Sequence, residues 1–219
     1  MRHIRQFLVI HMIVLIMIHI YGDSHGKFSF KGLTLPHKDY HEPSVTMFRI
    51  GRDNVIVNFD KSHNNKGNIF CLVYGEVDCR CHIQKQINAG RIEDYIIQEL
   101  VHSYFKTIKN NITEYKKIIV VGVIPPTNQS CYENIHGPIL HEFPFIGTDE
   151  ERVRYTQKVN KIIQELCNRD GYIYFNPYEY YTAPDGTLKY ELSDTIVHLG
   201  DTSIFLHRFN ELYKLYERA

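Results

Sequence analysis

Tryptophan is absent from the 219 residues, and net charge is absent with it, since 25 lysines and arginines balance 25 aspartates and glutamates. Without a basic excess or a long basic run, nothing predicts electrostatic capture of nucleic acid. Apolar residues are not scarce. They make up 43% of the chain, enough for a packed core and too many for an intrinsically disordered protein. Cysteine is sparse and odd in number: Cys71, Cys79, Cys81, Cys131 and Cys167 leave one thiol unpaired in any disulfide scheme. A chain of this length needs no staples, so reduced thiols and a cytoplasmic location are expected. The sequons at Asn111 and Asn128 matter only in a secreted chain. Cys79, Cys81 and His82 lack a fourth ligand nearby in sequence, so no metal or cofactor is expected.

A membrane span of full length is also missing. Arg2 and Arg5 precede the apolar run Phe7 to Ile20, but it is short for the ~20 residues a helix needs to cross a bilayer. It leads straight into Gly22-Asp23-Ser24 with no small-residue cleavage site. We read residues 1–16 as an apolar extension and residues 17–219 as a single domain whose first strand is buried. The alternative is an anchor or secretory segment formed by residues 1–20.

What is present alternates. Short apolar runs read as buried parallel strands at Ile16 to Tyr21, Val45 to Ile50, Ile69 to Tyr74, Lys117 to Ile124 and Tyr172 to Phe175. Helical periodicity marks Arg91 to Asn110, Asp149 to Asn168 with Thr148 as N-cap, and Ser203 to Tyr216. A long loop is expected from Pro125 to Gly147, and a turn at Asp185-Gly186. The order predicts an α/β fold, a three-layer open parallel sheet of about five strands flanked by helices, flavodoxin-like in plan. In such sheets ligands bind beyond the carboxyl ends of the strands. Gly22-Asp23-Ser24, Gly75-Glu76-Val77-Asp78 and Ile124-Pro125-Pro126-Thr127 should therefore share one rim.

Ser24, in a strand-to-loop turn, is the expected nucleophile. A serine needs a base for its proton and donors for the oxyanion. His198 is the expected base, and Asp194, four residues earlier, would orient its imidazole. The Tyr21-Gly22-Asp23-Ser24-His25 block, the Gly75-Glu76-Val77-Asp78 block and the late Asp194/His198 pair, in that order, resemble the SGNH (GDSL-type) hydrolase superfamily. The resemblance covers roughly residues 16 to 216. It implies an open parallel sheet carrying a Ser–His–Asp triad and no cofactor. It also implies ester hydrolysis or acyl transfer, with a small acetyl ester of a carbohydrate as substrate.

Three departures from the family pattern stand out. Val77 occupies the position of the family's oxyanion-donating asparagine, the Asp–His spacing is one residue longer, and the second-block glycine is not evident. Oxyanion and substrate contacts are accordingly assigned to Gly51, Gly75, Glu76, Asp78, Arg80 and His25. Arg80 would bind a carboxylate, phosphate or sugar hydroxyls, or else be held by Asp78. The same departures leave a non-catalytic ligand-binding or scaffolding relative as the second reading.

Overall fold

The computed structural model describes residues 16–139 and 143–217. Residues 1–15, nearly all of the amino-terminal extension and most of the alternative anchor of residues 1–20, lie outside the described residues. So does His141.

Five strands form one sheet in the order β2-β1-β3-β4-β5. They are β1 (Ile18–Gly22), β2 (His37–His41), β3 (Ile69–Val73), β4 (Lys117–Val121) and β5 (Ile173–Phe175). Every pairing is parallel, with Ile18 level with both His37 and Ile69, and Ile69 level with Lys117. All carboxyl ends therefore reach the same rim, as the predicted plan requires.

The central strands are buried on both faces, and their residues alternate between two cores. Tyr21, Phe70, Leu72, Ile118 and Val120 pack beneath α4 (Glu93–Asn111) and α6 (Asp149–Asp170). Ile18, Ile20, Cys71, Val73 and Val121 join the opposite core with Phe205 and Phe209 of α8 (Ser203–Glu217). The α6 helix opens with a complete capping box between Thr148 and Glu151 and ends at a left-handed Gly171. Among the described residues no helix is long and apolar enough to cross a membrane.

The expected second strand is corrected. Val45 to Ile50 does not form a strand; Thr46 caps α2 (Met47–Asp53) by accepting from Arg49 N. Met47 and Ile50, at helical spacing, are buried, whereas Phe48 between them is largely exposed. The second strand is instead the polar run His37–His41, an edge whose side chains are half-buried or exposed. Polar and charged side chains suit an edge strand, whose open backbone edge they keep from pairing with another chain.

Besides α2, three helices and one helical turn were not expected. The α1 helix (Ser24–Ser29) follows β1 directly, α5 (Gln129–His136) occupies the supposed loop before Gly147, and α3 (Ile83–Asn88) follows a widened π-type turn at Asp78–His82. A further single turn, α7 (Tyr178–Tyr181), follows β5.

Candidate active site

The chain leaves β1 and enters α1 with no intervening loop, which corrects the strand-to-loop reading of Ser24. Asp23 is the N-cap, accepting from His25 N at 2.8 Å. Ser24 is thus the first residue of the helix, and its own N–H has no intrahelical acceptor. Gly22 makes this sharp entry possible. A Cβ there would lie 3.1 Å from Gly26 Cα and from Val73 O, so any larger residue would push α1 a few tenths of an ångström off β3.

His198 arrives from the other end of the chain. Its Nε2 is 2.9 Å from Ser24 Oγ, and its Nδ1 is 2.7 Å from Asp194 Oδ2. Nδ1–H donating to the carboxylate leaves Nε2 free to accept from the serine hydroxyl. The ring stacks on Phe28 of α1, with centroids 4.3 Å apart. The three residues expected to act together are therefore brought together.

The longer Asp–His spacing has a local explanation. Residues 194–198 form a closed turn in which Asp194 N donates to His198 O at 3.0 Å. Asp194 Oδ1 accepts from Ile196 N and from His198 N, and Thr195 takes a left-handed φ of 68°. The additional residue is absorbed by this turn. From outside, Thr195 O accepts from His136 Nε2 at 2.8 Å and from Tyr190 Oη at 2.9 Å. Burial alone would raise the Asp194 pKa, but its hydrogen bonds from His198 and the backbone lower it below the ordinary carboxylate range.

The residues assigned to oxyanion or substrate contacts divide. Gly51 lies inside α2, where helical hydrogen bonding uses its N–H, and a Cβ would meet Ser103 of α4 at 2.8 Å. Its placement serves helix packing rather than a strand end. Gly75 does stand just past β3, with a φ of 120°, and a Cβ would come within 2.9 Å of Met47 and Val123.

Asp78 is fully buried, accepting from Met47 N at 2.7 Å and Phe48 N at 3.3 Å. It therefore anchors the start of α2. Its side-chain partner is His82, 3.2 Å away, and not Arg80. Arg80 pairs instead with Glu76, Nε to Oε1 at 2.8 Å, and donates through Nη1 to Phe143 O. Val77 is buried in the turn between them.

His25 is buried against Asp23, Glu76 and the Val197 carbonyl. Phe28, Val197 and Phe143 carried no legible sequence signal, because each contributes through a backbone carbonyl or a ring face. His136, a histidine of the expected loop, instead reaches the site by donating from Nε2 to the Thr195 carbonyl. Among the described residues no group of three or more His, Cys, Asp or Glu could hold a metal ion.

No family model and no curated protein matches the sequence. Solved structures do match in fold. A catalytic mutant of an acetylxylan esterase from Geobacillus stearothermophilus is 13% identical, covers 89% of this chain and 92% of its own, and has a TM-score of 0.56. A GDSL-like lipase from Bacteroides thetaiotaomicron is 13% identical over 92% of this chain and 88% of its own, with a TM-score of 0.53. The OSK domain of Drosophila Oskar is 10% identical over 90% and 86%, with a TM-score of 0.52. At these identities the likeness is one of fold. With its parallel sheet and the serine block on the rim, the chain has an SGNH (GDSL-type) hydrolase-like fold.

Proposed function

We propose that the protein is a serine-dependent ester hydrolase using Ser24, His198 and Asp194 as a triad. The observation that carries this reading is the continuous chain of hydrogen bonds from Ser24 Oγ through both nitrogens of His198 to Asp194. Ser24 Oγ attacks the acyl carbonyl while its proton passes to His198 Nε2. Asp194 holds Nδ1–H and stabilises the imidazolium. Collapse of the tetrahedral intermediate expels the alcohol, which takes the proton from Nε2 and leaves an acyl ester on Ser24. A water molecule, deprotonated by His198, then releases the acid. A sugar hydroxyl in place of that water would give acyl transfer.

The developing oxyanion receives the Ser24 N–H at the start of α1. The Gly75 amide is our second donor: β1 and β3 are in register at Gly22 and Val73, which brings Gly75 beside the Ser24 turn. A small acyl ester of a carbohydrate is the substrate class we propose, on the strength of a fold neighbour named as an acetylxylan esterase.

Labelling with a fluorophosphonate probe and release of acetate from acetylated xylo-oligosaccharides test the reading. Wild-type protein should be labelled and Ser24→Ala should not, with hydrolysis falling by at least about 10³-fold. An inert serine in folded wild-type protein would overturn it and favour a ligand-binding or scaffolding role.

A further inference from the structure

Beneath the Ser24–His198 hydrogen bond lies a buried cluster of charge that ester hydrolysis does not itself require. His25, next to the nucleophile, is 4% exposed, and the polar atoms closest to its ring are all acceptors. Nε2 lies 3.1 Å from Val197 O and 3.4 Å from Glu76 Oε2. Nδ1 lies 3.3 Å from Asp23 Oδ1, off the hydrogen-bond line. A neutral imidazole carries a proton on one nitrogen only. Either tautomer would turn a bare nitrogen lone pair toward a carboxylate, whereas the imidazolium presents N–H to both sides.

The surrounding charges fit that state. Glu76 Oε2 and Asp23 Oδ2 accept no hydrogen bond, and the other Glu76 oxygen is held by Arg80. Two carboxylates, Arg80 and a charged His25 make a neutral cluster, the condition under which buried charge is tolerated. His198 faces the same ring, centroids 4.7 Å apart. Burial alone would depress the His25 pKa, but Glu76 and then Asp23 outweigh it, against opposition from Arg80, and the net shift is upward. Val197 immediately precedes His198, so the bond from His25 to its carbonyl is a second tether between α1 and the Asp194–His198 turn.

We propose that His25 is a buried imidazolium acting as a positioning residue, tying Val197 to α1 and thereby holding His198 on Ser24. This inference rests on the esterase reading of that pair.

Nuclear magnetic resonance of the full chain with labelled histidine tests the charge. His25 should show both ring N–H protons at pH 7, and Glu76→Gln should remove one; a neutral ring in the wild type overturns the proposal. The positioning role is read from kinetics on a p-nitrophenyl ester. His25→Phe should lower kcat and the fluorophosphonate labelling rate roughly 10- to 100-fold with little change in KM. His25→Gln, which keeps an N–H toward Val197 O, should recover part of the loss, with its acid limb moved to higher pH because two carboxylates have lost a cation. Equal labelling rates in folded wild type and His25→Phe overturn the positioning role. Failure of the wild type to label at all strikes the esterase reading instead, and leaves the resonance test standing.

Discussion

Asp194 does two jobs with one carboxylate. Oδ2 receives the imidazole N–H, and Oδ1 closes the turn by accepting two backbone N–H groups. Asp194→Asn separates them, because an amide oxygen can still accept from the backbone while the amide nitrogen cannot receive Nδ1–H. The substitution should lower kcat by on the order of 10²–10⁴-fold, leave KM nearly unchanged, and leave the thermal midpoint close to that of the wild type. Steady-state kinetics beside a melting curve check both halves. A comparable fall in stability and kcat would mean that the side chain matters mainly for the turn. The candidate triad was legible in sequence because serine, histidine and aspartate are chemically distinctive, with Ser24 directly after β1 and the Asp194/His198 pair beyond the last strand. His25 stood beside Ser24 as a substrate contact, and its position between Glu76 and Val197 appears only when residues far apart in sequence are brought together.

At the scale of elements, the site depends on two short structures that hydrophobic periodicity does not reveal. One is α1, six residues long, whose only sequence sign is an N-capping aspartate. The other is the Asp194–His198 turn, flanked by the antiparallel bridge of Ser193 to Leu199. Gly200 lets that bridge close, since a Cβ would fall 2.3 Å from Ser193 O. Gly200→Ala should therefore cost about 1–3 kcal/mol in urea unfolding and reduce kcat as His198 shifts. Full activity in the alanine variant would show that the turn has slack and does not set the histidine. The misplaced second strand has the same kind of origin. Val45 to Ile50 is apolar enough for a strand, but Thr46 caps it and Asp78, from a distant segment, receives its first N–H groups. A capping partner thirty residues away cannot be read from local pattern.

For the whole molecule, two buried histidines shape stability in opposite directions. His19 in β1 is held down to about 4, chiefly by burial and then by His63 and Lys38. Between that value and its unfolded pKa of about 6.5, the unfolded chain binds more protons, so stability should rise with pH. His25 has its pKa raised. There the native state binds more protons, so its contribution is complete below about pH 6.5 and is lost as pH rises through the raised value. Urea unfolding at fixed ionic strength from pH 4 to 9 should trace a maximum near neutrality. His25→Gln should flatten the alkaline side and leave the acid side in place. An alkaline slope that persists unchanged in that variant would rule His25 out as its source.

The sequence by itself determined the alternating α/β plan, the parallel sheet, the long helices and the choice of Ser24, His198 and Asp194 as the candidate triad. Those features follow from periodicity, capping residues and strand-end chemistry, all of which act over a few neighbours. Tertiary structure alone decided that His37–His41 forms the edge strand, that Gly51 packs on a helix, and that Arg80 pairs with Glu76 rather than Asp78. It also decided that a closed turn absorbs the extra residue between Asp194 and His198. Each of these depends on which backbone donor or buried charge is left needing a partner after the sheet has assembled, and that is settled only by atoms far apart along the chain.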